Sequence, residues 1–375
     1  MSESGYPLGA VAHLLALGVA RLPFPAALGG EGLGLLGLVA VLEELGAVDG
    51  SLGAIVMGTF SANALLAASA TPAQRRAFLA PLLAGEGVAA VAVTEAGAGT
   101  DVASIQTTCS RLDDGGWRLD GAKVFISNTG HPLWRLTLVL AAGPSAGRHT
   151  LFLVPSAVAG LRAEPTATTI GWSRSGLHDL RLEGVTVPDA YRLGPPDAGL
   201  ALVLSAFERG RVAVGALAAG LCRAAWEDAD GHARRRRSFG VPLFDHDAVA
   251  DHVVELWQLY ERARLVTEEA AAAADRGLPL APWAALAKRE ATDVAVQAAR
   301  LALEVRGASG LVVGSRTARM WGDAKALEIV EGTSEAQALV LRRLARRGDL
   351  WARPDSVAGG ALGQRNGDGG EHARP

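Results

Sequence analysis

Two cysteines in 375 residues, Cys109 and Cys222, are too few and too far apart for a disulfide framework or a C-x-x-C site. They read as buried thiols in a reducing compartment, and the expected location is the cytoplasm. The eight histidines show no H-x-x-H or H-x-x-x-H spacing, so no metal site is expected. Neither sign of charge dominates: 36 Lys and Arg against 39 Asp and Glu leave a net −3. That balance offers nothing to nucleic acid or to an anionic membrane. Long hydrophobic runs are also missing, although mean hydropathy is positive. The longest, such as Val11–Ala20 broken by His13, fall well short of the roughly 18 residues of a membrane span. Glu3 and the lack of a basic n-region predict no signal peptide. No G-x-S-x-G elbow marks a serine hydrolase, and no internal repeat is visible.

What is present divides into three parts. A chain of this length buries a large core, in two or three layers or domains. Residues 1–86 are helical in character: Leu38, Val39, Leu42 and Leu45 recur at helical spacing, and Thr71-Pro72 opens a further helix. Over residues 87–196 the period changes. Asp113-Asp114-Gly115-Gly116 reads as a hairpin turn, and Leu136–Leu140, Thr150–Val154 and Leu180–Leu182 read as strands. Helical periodicity returns over residues 197–347. Val249, Val253, Leu256, Tyr260 and Ala263 mark one face, and Leu286, Val294, Leu301 and Val305 another. Residues 348–375 read as a flexible tail, rich in Gly, Arg and Asp from about residue 356.

Two fragments carry chemistry. Ile329-Val330-Glu331-Gly332-Thr333-Ser334-Glu335 sets an acid in a tight joint between two apolar helical runs. Ser334 with Gln337 reads as a capping box for the second run. Gly332 lets the backbone bend, so Glu331 is aimed across an interface; a carboxylate that loses hydration there becomes a base near neutral pH. The competing reading is an ordinary helix-end glutamate. The second fragment, Val91-Ala92-Val93-Thr94-Glu95-Ala96-Gly97-Ala98-Gly99-Thr100-Asp101, ends a β-branched run in a loop of small residues with two hydroxyls. Such a loop lets main chain approach a flat ligand, although most glycine-rich loops are turns. Gly32-Leu33-Gly34-Leu35-Leu36-Gly37 satisfies G-x-G-x-x-G, but Pro23 and Pro25 stand where a strand is required and no βαβ unit follows. It reads as a turn.

Together the two fragments resemble the V-T-E-x-G-A-G-S-D loop and the E-G-T-S-E joint of the acyl-CoA dehydrogenase family. Four more motifs keep that family's order. Gly121-Ala122-Lys123-Val124-Phe125-Ile126-Ser127-Asn128 resembles its G-x-K-x-x-I-S/T-N strand, and Ala206–Arg211 the start of its long C-terminal helix. Arg236-Arg237-Ser238-Phe239-Gly240 is similar to R-x-x-F-G, and Asp323-Ala324-Lys325 to part of R-D-A-K. The resemblance runs from about Leu8 to Arg347.

The resemblance implies an α+β fold: an N-terminal helical domain, a central β-barrel-like domain and a C-terminal four-helix bundle. It also implies FAD, an acyl-thioester substrate, an electron acceptor such as an electron-transfer flavoprotein, and a homotetramer or dimer. Glu331 would take the α-proton while the β-hydride passes to flavin N5, with the thioester carbonyl held by the Glu331 amide and a ribityl hydroxyl. Thr94 and Ser127 would bond the isoalloxazine edge, Phe125 would lie against the ring, and Thr100 would stand near flavin and thioester. Thr333 would touch the cofactor's phosphate region. Arg236 would reach the phosphates, and Phe239 the adenine end, of a neighbouring subunit's cofactor; Arg211 matches a substrate position.

Several residues depart from the family pattern. Val330 replaces a Tyr, Gly322 the Arg of R-D-A-K, and Ala308 a glycine, while Ser175-Gly176-Leu177 stands for S-x-T. Asp247 and Glu304 stand where glutamines are usual, and would repel a pyrophosphate unless Arg236 or Arg306 offsets them. Some relatives carry the base at the position of Gly210, and Glu208 lies nearby but out of register; flavin N-oxygenase relatives have no need of a base. Two alternatives stand beside an acyl-CoA substrate. One is a biosynthetic relative acting on a carrier-protein-bound acyl group, and the other a flavin-binding or structural relative without catalysis.

Overall fold

The computed structural model describes residues 5–143 and 147–351. The N-terminal part holds α1 (Leu8–Ala16), α2 (Gly34–Val48), α3 (Gly50–Ser69), α4 (Pro72–Gln74) and α5 (Ala80–Leu83), with a π turn over Arg75–Leu79 between the last two. Thr71 caps α4 as expected: its hydroxyl accepts from the Gln74 amide while the Gln74 side chain accepts from the Thr71 amide. The G-x-G-x-x-G segment is a turn into α2. The first amides of that helix, Leu35 and Leu36, donate to the Asp275 carboxylate at 2.7 and 3.0 Å, so the chain itself supplies the anion there.

Asp49 caps α3 by accepting from the Ser51 and Leu52 amides. This helix is apolar all round because it is wedged between the sheet and the long helix of the C-terminal part. By length and composition α3 is apolar enough to cross a membrane, with 72% of its most apolar window buried inside the molecule. The count of uninterrupted runs missed it, since Ser, Thr, Gly and Asn punctuate the segment.

The middle part is one eight-stranded sheet: β1 (Val88–Ala92), β2 (Thr108–Arg111), β3 (Trp117–Ile126), β4 (Trp134–Ala142), β5 (His149–Pro155), β6 (Leu161–Pro165), β7 (His178–Val187) and β8 (Arg192–Leu193). The order is β6-β7-β3-β2-β4-β5-β8, with β1 parallel to β4, and the ends β6 and β8 are not paired with each other. The barrel-like expectation is therefore met by an open sheet. Along β4 and β5 the side chains alternate. Leu138, Leu140, Leu151 and Leu153 join the main helical core, while Val139, Ala141, Phe152 and Val154 form a second core on the other face. The hairpin expected at Asp113–Gly116 joins β2 to β3.

In the C-terminal part α6 (Gly199–Arg235), α7 (Asp247–Asp275) and α8 (Leu280–Arg306) pack on one another, and a small ribbon of β9 (Arg237–Ser238) and β10 (Val241–Pro242) links the first two. Two shorter helices, α9 (Arg316–Ile329) and α10 (Ser334–Arg347), pack on α8. Gly348, left-handed, ends α10; of the tail expected over residues 348–375, Asp349–Trp351 forms a 3-10 turn and residues 352–375 lie outside the described residues. Of the face expected from Leu286, Val294, Leu301 and Val305, the last three are buried but Leu286 is 40% exposed, and Ala284, Ala287, Ala291 and Ala295 complete the buried stripe of α8. Alanines win there because they let three long helices approach closely.

Candidate active site

The small-residue loop after β1 is tied down from beneath. Lys123 on β3 is fully buried; its Nζ donates to Glu95 Oε1 at 2.8 Å and to the Val93 carbonyl at 3.0 Å. Burial pulls the ammonium down to about 8 against the attraction of Glu95. Glu95 also accepts from the Gln106 and Thr107 amides, so a desolvated carboxylate is held below its ordinary range by Lys123 and these two amides. The Val124 amide donates to the Thr94 carbonyl at 3.0 Å, which sets Thr94 beside the strand that carries Phe125 and Ser127.

Phe125 sits where the β3–β7 register shifts, with φ 56, and its side chain is 56% exposed. A bulge that re-aims a side chain out of the sheet explains an apolar ring facing solvent. Its amide donates to Asp179. Thr94 and Ser127 are half-buried, Thr100 is exposed, and none of the three hydroxyls has a partner among the described residues. The structure thus brings Thr94, Phe125 and Ser127 together at the C-terminal end of β3.

That end of β3 is linked to α9 through the segment before β7. The Asn128 amide donates to the Ser175 carbonyl, and Ser175 in turn bonds Trp172. Trp172, left-handed at φ 53, donates its amide to Asp323 at 2.7 Å. Burial pushes Asp323 up to about 6, against that bond and against Arg319 and Arg174. The departure at Gly322 has a cause here: a Cβ at that position would lie 2.1 Å from the Ile170 carbonyl oxygen, so the backbones touch where the family carries arginine. Trp172 was missed in the sequence because nothing local marks a strained, buried tryptophan.

Glu331 follows the end of α9 with a left-handed backbone, φ 54, and Gly332 continues it at φ 91. The Glu331 carbonyl accepts from Arg211 Nε and Gln337 Nε2, each at 3.3 Å, and Gln337 also donates to the Gly332 carbonyl at 2.8 Å. Its amide has no partner among the described residues. The carboxyl group turns onto α6 and occupies the space over Gly210; a Cβ there would lie 2.9 Å from the carboxyl carbon. Oxygen Oε2 is buried and has no hydrogen-bond partner among the described residues. Burial pushes this carboxyl up to about 7, while Arg211 and Lys288 pull it back. Glu208, the out-of-register acid on α6, is raised by burial against Arg211 and Arg209.

The capping box expected from Ser334 and Gln337 is corrected. Thr333 is the N-cap, its hydroxyl accepting from the Ala336 amide, and Ser334 instead donates to Asp293 on α8. Gln337 turns back onto the joint because the left-handed pair Glu331–Gly332 leaves two carbonyls within its reach. Arg211, matched to a substrate position, is spent in part on the joint itself.

Arg236 and Phe239 stand apart from this group. Both follow the far end of α6, about 25 residues from Arg211, or roughly 37 Å along a helix. Arg236 is exposed, and Phe239, at φ 50, is 95% exposed. The acids near that end are already offset, though not as expected. Arg306 is committed to Asp228, Glu304 pairs with Arg300, and Asp247 sits in the favourable first turn of α7. Among the four arginines of 234–237, Arg234 pairs with Asp230 and stacks on Phe244.

Against this geometry the comparisons with known proteins are decisive. The chain matches the acyl-CoA dehydrogenase N-terminal domain over residues 1–86, the middle domain over 90–185 and the C-terminal domain over 197–345. It is 32% identical to the short-chain specific acyl-CoA dehydrogenase of Megasphaera elsdenii, covering 88% of this chain and 87% of that one. Among solved structures it is similar to butyryl-CoA dehydrogenase from Megasphaera elsdenii, with a TM-score of 0.89, 30% identity and coverage of 92% and 91%. It is also similar to the prolyl acyl carrier protein oxidase AnaB, with a TM-score of 0.86, 28% identity and 92% coverage of each. The chain belongs to the acyl-CoA dehydrogenase family, FAD-dependent oxidoreductases acting on CH–CH groups.

Proposed function

We propose that this chain dehydrogenates an acyl thioester between its α and β carbons, with Glu331 as the general base. The observation that carries the reading is the Glu331 carboxyl, set over Gly210 with its buried Oε2 unpartnered among the described residues and raised to about 7. A base with that affinity takes a proton near neutral pH and releases it again. The unspent Glu331 amide is a donor for the thioester carbonyl, where charge develops as the α-proton leaves. Arg211 and Gln337 hold the Glu331 carbonyl, and so keep amide and carboxylate in one rigid turn.

The donor set fits FAD: the free hydroxyls of Thr94 and Ser127, with the exposed ring of Phe125 beside them, suit the edge and face of a flat heteroaromatic. When bound, FAD supplies the acceptor for the substrate's β-hydride. Thr100 lies exposed in the same loop, and Thr333 opens α10 beside the base. Because Arg236 and Phe239 lie at the opposite end of α6, their part in a cofactor site requires a second copy of the chain. We therefore read the active form as a homodimer or homotetramer, handing electrons to an acceptor such as an electron-transfer flavoprotein, in the cytoplasm.

The first substrate reading is a CoA thioester, in line with the butyryl-CoA dehydrogenase likeness; a carrier-protein-bound acyl group is the second, in line with the carrier protein oxidase. Anaerobic bleaching of the flavin by acyl-CoA and acyl-carrier thioesters separates them. Replacing Glu331→Gln should slow that bleaching on the order of 10²–10⁴-fold while dithionite still reduces the flavin. Bleaching at close to the wild-type rate would show that Glu331 is not the base and turn attention to Glu208.

A further inference from the structure

Lys288 lies on α8 in a stripe otherwise made of Ala284, Ala287, Ala291 and Ala295, and its side chain is fully buried. It makes no ion pair within 4 Å among the described residues. Its Nζ donates to the Glu328 carbonyl at 2.7 Å. A buried ammonium with one neutral acceptor is costly to keep, and a methionine or leucine would fill the same stripe without that cost.

What the lysine contacts gives it a purpose. Glu328 carries one of the last carbonyls of α9, a group that no later turn of that helix satisfies. Two residues further on the chain is extended at Val330, then left-handed at Glu331. Beyond the bend, Arg211 and Gln337 hold the Glu331 and Gly332 carbonyls. Lys288 is thus the clamp on the incoming side of the joint. The charged groups facing it come from every side: Asp293 on its own helix, Glu328 on α9, Glu331 in the joint, and Arg211 on α6. Among the described residues two cations, Arg211 and Lys288, oppose the burial of the Glu331 carboxylate.

We propose that Lys288 positions Glu331, fixing through the Glu328 carbonyl the direction in which the chain leaves α9, and favours the carboxylate by its charge. This deepens the proposed function and rests on Glu331 being the base. Lys288→Met removes clamp and charge; Lys288→Gln keeps a donor without the charge. Both are made in the flavin-loaded enzyme and compared with wild type by bleaching rate from pH 5.5 to 8. Titration of the Glu331 carboxyl is followed in parallel by difference infrared spectroscopy, with Glu331→Gln as the blank.

Removing a cation favours the protonated acid, so in both variants the acid limb and the infrared titration should move to higher pH, on the order of one unit. The plateau rate should fall about tenfold or more in Lys288→Met and less in Lys288→Gln. Variants with wild-type flavin content and melting temperature whose limb, titration and plateau are all unmoved would overturn the proposal. If Lys288→Met does not fold, Lys288→Gln decides by the same readings. Should Glu331→Gln itself bleach normally, the base reading falls alone, and the infrared titration of Glu331 still judges Lys288: an unmoved titration refutes it and a moved one supports it.

Discussion

The Glu331 carboxyl group and the missing side chain of Gly210 share one space: a methyl at position 210 would lie 2.9 Å from the carboxyl carbon and 3.0 Å from both oxygens. The helix face is bare where the acid rests. Ala206, Val212 and Ala213 around Gly210 are buried, so the helix has little room to withdraw and the acid's own side chain must fit the space. The placement of the acid is therefore set from two segments 121 positions apart in the chain.

Gly210→Ala tests that placement directly. The added methyl forces Glu331 to swing or the joint to shift by a few tenths of an ångström or more. Substrate-driven flavin reduction should fall roughly 10–100-fold, because small misplacements of a reacting group are that costly. Flavin content should stay at the wild-type level, read from the absorbance of the purified protein. Full activity in Gly210→Ala would mean that the acid has more freedom than this contact allows.

Glu331 also leaves a mark on stability. Its carboxyl keeps a proton in the folded chain up to about pH 7, whereas an ordinary glutamate gives it up near 4.5. Between those values the folded state binds more protons than the unfolded state, so stability falls as pH rises across that window. Glu331→Gln has no such proton to lose. The variant should gain up to about 3 kcal/mol over wild type on going from pH 4 to pH 8. Thermal unfolding of both proteins at the two pH values measures the difference, and a constant offset would contradict the burial of this charge.

Lys123 and Glu95 form a buried ion pair beneath the loop that carries Thr94. Lys123→Met strands a desolvated carboxylate and should cost about 3–5 kcal/mol. The double variant Lys123→Met with Glu95→Gln should recover part of that loss, since no charge is then left alone. Denaturant unfolding of the two single variants and the double one closes the cycle; additive effects would mean that the pair is not coupled. Loosening of the Thr94 loop should also lower flavin retention in the single variant.

Arg236→Ala addresses assembly. If this exposed arginine completes a cofactor site on another copy, its loss should lower FAD retention and the stability of the oligomer together, since a ligand that binds only the assembly stabilises it. Flavin absorbance and sedimentation velocity give the two readings. A monodisperse monomer with full flavin occupancy would remove the shared-site reading altogether.

Local pattern was enough to determine much of this protein. The helix–strand–helix layout, the hairpin at Asp113–Gly116, the Thr71 cap and the turn at Gly32–Gly37 all depend on neighbours a few residues apart. So does the picture of Glu331 in a joint, because a glycine between two periodic runs is a local signal. Only the tertiary structure decided what surrounds that acid. Lys288 carried no local signal at all, Gly210 looked like a gap, and Gly322 like a defect in a motif. Each acquires its meaning from a partner on another segment: Glu328, Glu331 and Ile170. The N-cap moved from Ser334 to Thr333, and Leu286 fell outside the alanine-rich buried face of α8, for the same reason. Periodicity records which way a residue faces along its own helix, but close packing between segments decides which atoms share a space and which charges lose their water.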